Sequence, residues 1–527
     1  MTVKIPKTND IPENERTPWV LKLLEMLHEL YEIIQALRDE VARLKGEKSK
    51  PKIKPSKLES RRNKQTDDKT KRPGSGKRMK SQSLEIHDTI KIPPKDLPPG
   101  CWFKEYNDFL VQGLRIRPFN TRYRLERWES PDGRTFAGKL PQELHGGHFD
   151  TELKQYILYQ YYQCHVTQPL LLEALLEIGI DISSGQLSKI ITGNHDDFHT
   201  EKDNILEVGL SVSGHINVDD TGARHKGKNG YCTHIGNELF ATFHSTFSKS
   251  RINFLELLLA GHADYMINSD ALAYMDLQGL PKAQLSILSP LSPVIFEDAE
   301  KWLKFLESLN FSQDRHIRIA TEGVLIGSLI NHGFNTEMVI VSDDAGQFNI
   351  LNHALCWVHA ERLINKLIGF SDDQKKAIES SQSKIWDFYD TLKDFKKHPD
   401  QQKRAGIEKQ FDEIFTEKTC YATLNNALKR IHRNKVEMLK VLDYPDIPLH
   451  NNLSENDIRE YVKRRKISGS TRSSLGRKCR DTFTSLKKTC RKLNISFWDY
   501  LSDRLCSSKA IPYLPDLVSL KAQEISK

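Results

Sequence analysis

Gly214-His215-Ile216-Asn217-Val218-Asp219-Asp220-Thr221 reads as a strand that ends in carboxylates. Polar and apolar residues alternate from His215 to Asp219, the period-2 pattern of a strand. Successive strand side chains point to opposite faces, so Asp219 and Asp220 cannot occupy equivalent places. Asp219 shares a face with Asn217, whereas Asp220 shares one with Ile216 and Val218, which makes Asp219 the better candidate for a polar site. A second acidic pair, Asp343-Asp344, follows the apolar run Met338 to Val341, and Asp343 lies nearer the carboxyl end of that strand. The third acidic position, Glu455, opens a helical pattern after Asn451-Asn452. Taken singly, such residues serve turns and caps. Together, Asp on a strand, Asp after a strand and Glu on a helix form the arrangement that collects carboxylates around two divalent ions for work on a phosphodiester.

The neighbours of these residues extend the reading. With Asn452 as N-cap, Glu455 falls at the third helical position and completes a capping box. Arg459 and Lys463 follow it at i+4 and i+8, so cations share its helix face, where a scissile phosphate would lie. Cys356-Trp357-Val358-His359-Ala360-Glu361-Arg362 reads as a helix with Cys356 and His359 on one face. A zinc half-site would need a second ligand pair, and none is evident, so packing plus phosphate or carboxylate contacts from His359 and Arg362 is the preferred reading. Gly222, Gly227 and Lys228 imitate a phosphate loop. Asn229 stands where Ser or Thr should be and a strand follows, which excludes an ATPase.

The chain has 527 residues, enough for three or four units. No stretch approaches the roughly 20 apolar residues of a membrane span, and the polar start is no signal peptide. A cytoplasmic protein, associated with the nucleoid, is the expectation. Eight scattered Cys contain no Cys-x-x-Cys pair, so reduced thiols are expected rather than a disulfide scaffold or a structural zinc site. The formal charge of +8 conceals two cationic segments, residues 45–80 and 459–492, each carrying +11, on an acidic remainder. Such segments point to a polyanion, because phosphate neutralisation releases condensed counterions.

In chain order, residues 1–16 read as a polar tail and 17–45 as a coiled coil, with Val20, Leu27, Ile34 and Val41 at a and Leu23, Leu30, Leu37 and Leu44 at d. Residues 46–82, with Lys48, Lys50, Lys52, Lys54, Arg61 and Arg62 among Pro and Gly, read as a flexible basic linker. Residues 83–145 form a small turn-rich β module, with strand-like pieces at Leu110 to Ile116 and Tyr123 to Trp128 about a Pro131-Asp132-Gly133 turn. Residues 146–205 are helical and resemble a helix-turn-helix, with Ser183 as an N-cap. The core then runs in two parts, 206–371 and 443–475, around a helical insertion at 372–442; in its first part, His215 to Arg224 and Tyr231 to His244 read as two strands about an Asn229-Gly230 turn. Residues 476–527 are a basic helical C-terminal region.

Gly214 to Arg224, Ser245 to Phe254, Ser342 to Phe348, Cys356 to Arg362 and Asn451 to Arg459 together resemble transposases of the bacterial insertion sequence 66 family. The resemblance runs from the coiled coil to about Leu505. It implies a DDE transposase with a leucine-zipper start, a helical insertion and magnesium-dependent cleavage and joining of DNA ends, with Asp219, Asp343 and Glu455 as the triad. Many relatives carry a Cys-rich zinc element after the basic linker; here only Cys101 remains, so zinc is not expected. The fold class expected is α/β: an RNase H-like catalytic core with a helical insertion, an N-terminal coiled coil and a helical DNA-binding region. Two Mg2+ or Mn2+ ions would be held by Asp219, Asp343 and Glu455, with Asp220, Asp344, His359, Arg362 and Asn452 as further candidates. Arg459, Lys463, Arg464, Arg465 and Lys466 would hold flanking phosphates, joined by the linker cations. The partners expected are double-stranded DNA, a second copy through the coiled coil and accessory transposition proteins. An RNase H-like nuclease without strand transfer, or an inactive DNA-binding derivative, would show the same pattern; inverted repeats flanking the gene and a metal-dependent nicking assay discriminate.

Overall fold

The structure is a computed structural model and describes Pro12, Glu15 and residues 17–44, 85–95, 97–141 and 147–525. The linker residues Lys48, Lys50, Lys52, Lys54, Arg61 and Arg62 lie outside the described residues. Helix α1 (Pro18–Leu44) carries the heptad pattern. It touches the body through Leu24 and His28, both buried, and the His28 ring meets Phe370 edge-on at 5.1 Å. Leu23, Leu27, Leu30 and Ile34, at a and d, stay exposed. The side chains of Leu37, Val41 and Leu44 lie outside those described.

Apart from half-buried Pro118 and Ser130, the described residues between Ile86 and Phe136 are exposed, with one short hairpin, β1 (Arg127–Glu129) and β2 (Thr135–Ala137), closed by a turn in which Gly133 takes φ +79°. The strand expected at Leu110 to Ile116 is absent, and that at Tyr123 to Trp128 shrinks to its last two residues, because no partner strand pairs with the rest. Helices α2 (Thr151–Leu158), α3 (Gln168–Glu177), α4 (Ser184–Thr192) and α5 (Asp196–Val212) follow. Ser183 caps α4, accepting from Gln186 N–H while Gln186 returns a bond to the Ser183 backbone.

The central sheet contains β3 (His215–Gly222), β4 (Tyr231–Gly236), β5 (Ala241–Thr246), β8 (Val339–Ser342) and β9 (Asn352–Leu355), in the order β5-β4-β3-β8-β9. β3, β4 and β5 form an antiparallel meander, and β8 and β9 run parallel to β3. The segment 231–244 therefore holds two strands where its pattern predicted one. The break comes at Asn237, whose side chain accepts from Leu239 N–H at 2.9 Å, and a Cβ at Gly236 would collide with the Phe240 carbonyl. Between β5 and β8 the chain inserts α6 (Arg251–Leu258), β6 (Tyr265–Ile267), α7 (Ser269–Leu277), α8 (Lys282–Leu288), β7 (Val294–Phe296), α9 (Ala299–Ser308) and the buried α10 (Asp314–Asn331), with β6 and β7 paired antiparallel. After β9 come α11 (Trp357–Asn365), then α12 (Asp372–Lys397), α13 (Gln401–Phe415), α14 (Ala422–Arg433) and α15 (Lys435–Met438).

Both sheet faces are covered. Ile216, Val218 and Ile340 join a core with α5, α10 and the C-terminal helices, whereas Val339 and Val341 join a second core with α11 to α14. Helices α16 (Asn452–Ser468), α17 (Ser474–Lys492), α18 (Phe497–Cys506) and α19 (Leu514–Ile525) complete the chain. Helix α17 is polar in sequence yet buried from Cys479 to Cys490, because it closes the open edge of the sheet. Asp481, Ser485 and Thr489, one turn apart, accept from the backbone N–H groups of Ser245, Phe243 and Ala241 at 2.8, 2.9 and 3.2 Å. A strand edge that would otherwise be an exposed template is thus satisfied from within.

Candidate active site

The register of the parallel pair places the first two carboxylates. Asn217 stands opposite Val341, so continuing that register brings Asp219 toward Asp343, the first residue past the end of β8, whose charge acts on the Asp219 carboxyl. Asp219 shares the face of Asn217, the one covered by α16, while Asp343 opens the turn after β8, accepts from Ala345 N–H at 3.1 Å and lines a cavity beside α11. Asp220 belongs to the other face, where it accepts from Thr233 Oγ1 at 2.5 Å and Gln347 Nε2 at 2.7 Å. Asp344 is also committed elsewhere, to Arg430 of α14 at 2.5 Å.

Glu455 reaches this face from α16, and what positions it is Asn451. The buried Asn451 side chain donates to the Val218 carbonyl and accepts from Asn217 Nδ2, each at 2.8 Å, while its backbone N–H donates to Cys356 Sγ at 3.1 Å. One side chain therefore ties the start of α16 to the strand that carries Asp219. Helix α16 begins at Asn452 with Asn451 as the cap, and no side-chain cap bond forms. The expected capping box is absent, because the Asn451 side chain is used up by β3 and the shifted start moves Glu455 past the third position. The Glu455 carboxylate instead meets Arg362 Nη1 at 3.0 Å, Arg459 at 3.4 Å and His359 Nε2 at 3.6 Å. Sequence alone did not reveal Asn451; a second Asn just ahead of the helix that carries Glu455 was its trace.

Burial first, and then the charge of Asp343, push the Asp219 carboxyl up to about 7, with Asp220 and Glu455 adding to the repulsion. Burial likewise raises Asp220 and lowers His359, which favours a neutral imidazole. Crowded carboxylates of this kind match the hard oxygen donors that Mg2+ and Mn2+ take, and a divalent ion would relieve their repulsion. The donor chemistry of these carboxylates suits such ions. Burial pushes the Cys356 thiol up to about 11, and its sulfur accepts from the Asn451 N–H. A cavity of about 680 Å³ opens beside Asp343 and is lined by Asp344, His359, Arg362, Arg430 and Asn434 among others.

The raised Asp219 carboxyl has a stability consequence. The folded state holds its proton more tightly than the unfolded chain, so the unfavourable contribution is absent below about pH 4, grows as pH rises and is complete above about 7. Asp219→Asn is expected to stabilise the metal-free protein by about 4 kcal/mol at pH 8, with the gain shrinking as pH falls and gone near pH 4. Thermal melts in chelator across this range check it, and a gain independent of pH would contradict it.

The phosphate-holding set divides on inspection. Arg459, Lys463 and Lys466 are exposed along α16. Arg464 is buried, its guanidinium stacked 3.9 Å over the Tyr161 ring and donating to the Tyr161 and Val166 carbonyls, so it is withdrawn from the set. Arg465 is half-buried and donates to Thr221 Oγ1 at 3.0 Å, bracing the end of β3. Further along the cationic segment, Lys488 and Lys492 each lie 2.8 Å from Asp457, and Lys487 lies 2.8 Å from Glu460. Much of that charge is internal, paired because a buried charge left alone is costly. A sequence count cannot see which lysines a buried helix turns inward.

Residues 313–478 match the family model described as Transposase IS66 family. That stretch holds Asp343, Arg362 and Glu455, and Asp219 precedes it. The chain is 44% identical over 321 residues, 60% of its own length, to an uncharacterised protein, y4jO, of Sinorhizobium fredii strain NBRC 101917 / NGR234, which it covers from end to end. No described helix is long and apolar enough to cross a membrane.

Proposed function

The chain belongs to the IS66 transposase family, and on that premise we propose that it is a DDE transposase that cuts the ends of a DNA element and joins them to target DNA. The observation that carries this reading is the register that brings Asp219 toward Asp343 beneath the helix bearing Glu455. The sheet order, three antiparallel strands followed by two parallel ones, supports an RNase H-like core. Asp219, Asp343 and Glu455 would hold two Mg2+ or Mn2+ ions, which when bound supply activation of the attacking hydroxyl and stabilisation of the departing 3′ oxygen.

The chain's own groups set the stage for that chemistry. Asn451 holds the start of α16 against β3, which fixes where the Glu455 carboxylate stands. Arg362 and Arg459 orient that carboxylate through ion pairs, and exposed Lys463 and Lys466 continue a cationic path for the flanking phosphates. Double-stranded DNA is the proposed partner. Cleavage of a plasmid carrying the DNA that flanks the gene tests the reading: nicks at the element ends with Mg2+ or Mn2+ and none in chelator are expected, and metal-independent or end-indifferent nicking would overturn it.

Self-association through α1 belongs to the same proposal. The a and d residues Leu23, Leu27, Leu30 and Ile34 stay exposed, while the helix docks on its own body through Leu24 and His28. A second copy would cover that stripe as a parallel coiled coil. Replacing Leu23 and Leu30 with Ser should convert the dimer into a monomer by light scattering, and an unchanged mass would remove the zipper.

A further inference from the structure

We propose that His262, Asp264 and His332 form a second, separate site for one divalent transition-metal ion of the class taken by imidazole and carboxylate together, Zn2+ foremost. One donor atom from each residue lies within 4.8 Å of the others. His332 Nε2 sits 2.7 Å from Asp264 Oδ1, and the His262 and His332 rings stack at 3.7 Å between centroids and 15° between planes. Oδ2 of Asp264 is shielded from solvent and has no hydrogen-bond partner among the described residues. A single ion pair would use one imidazole; here two converge on one carboxylate.

The scaffold under these ligands is closely packed. Ala260 and Gly261 take φ +49° and +104°, a turn that ends α6 and throws His262 back toward α10. His262 and Asp264, two apart, then lead into β6. Helix α10 lies directly on that strand because Gly327 carries no side chain: a Cβ there would strike the Met266 carbonyl and the Asn268 side chain, and Asn268 Nδ2 donates to the Gly327 carbonyl at 3.0 Å. Ser328 Oγ donates to the Asp264 carbonyl at 2.9 Å, fixing the third ligand's backbone. His332 caps the C-terminus of α10, the end of a helix that favours a cation.

The chemistry of the set selects the ion. Two imidazoles and one carboxylate suit Zn2+ in a tetrahedron whose fourth corner faces solvent, since His262 and His332 are exposed. Ligand bonds of about 2.0–2.2 Å put tetrahedral donors roughly 3.3 Å apart, so the Nε2–Oδ1 separation needs to open by only about half an ångström, while the stacked rings fan apart. The ion would clamp the turn after α6 to the end of α10. This set owes nothing to the cysteine-poor module at 83–145, where zinc was not expected, and it does not depend on the transposase reading.

Co2+ titrated into the full-length protein tests the assignment, with visible absorption as the readout. One equivalent giving a tetrahedral ligand-field band, without thiolate charge transfer, is expected. The band should be lost in His262→Gln and in His332→Ala, competed away by Zn2+, and kept in Asp343→Asn, which separates it from the carboxylate site. In parallel, Zn2+ should raise the melting temperature of the wild type and not of His332→Ala. No uptake by the folded protein, a band that survives both histidine substitutions, or a thiolate signature would overturn the proposal.

Discussion

Asp219→Asn, Asp343→Asn and Glu455→Gln are each expected to lower the rate of strand cleavage by at least about 10³-fold while leaving DNA affinity within about threefold. Each substitution nearly preserves shape and removes one negative charge from the proposed metal site. Metal-assisted stabilisation of the reacting oxygens is worth several kcal/mol, and about 1.4 kcal/mol is tenfold in rate. The adjacent acids serve as controls. Asp220 is spent on Thr233 and Gln347 across the other sheet face, and Asp344 on an exposed pair with Arg430, a type worth about 1 kcal/mol or less. Asp220→Asn and Asp344→Asn should therefore retain activity within about tenfold. Single-turnover cleavage measures all five, and full activity in a triad variant would remove that residue from the site.

Asn451→Ala is expected to cost about 3 kcal/mol of stability and more than tenfold in cleavage. The substitution strands the Val218 carbonyl and the Asn217 amide in the interior, each unsatisfied group costing about 1–3 kcal/mol. It also frees the start of α16, so Glu455 loses its fixed position opposite the aspartates. The second effect is what distinguishes a positioning residue from a merely stabilising one: Mn2+ affinity, measured below the melting temperature of the variant, should fall with activity. Wild-type melting and wild-type Mn2+ affinity in this variant would contradict the role.

Strand geometry is local, so the strand positions of the proposed site could be read from the sequence. The alternation at His215 to Asp219 was enough to separate Asp219 from its neighbour, and the run before Asp343 marked the end of a strand. What escaped reading depends on long-range contacts. Asn451 differs from Asn452 only in facing a strand more than 200 residues away in sequence. The cationic segment looked uniform, yet Arg464, Lys487, Lys488 and Lys492 are turned inward, toward residues 161–166 between α2 and α3 and toward Asp457 and Glu460 of α16, a choice no charge count encodes. The strand expected at Leu110 to Ile116 had apolar residues in plenty and nothing to pair with, and an unpaired strand is no strand.

The most direct measurement is joining. A short duplex ending in the exposed 3′ hydroxyl of the element, mixed with supercoiled target plasmid, isolates strand transfer from cleavage. Covalently joined product with Mg2+ or Mn2+, none in chelator and none with Asp343→Asn, is the result expected of a transposase. Target nicking without joining, or joining that survives Asp343→Asn, would contradict the account.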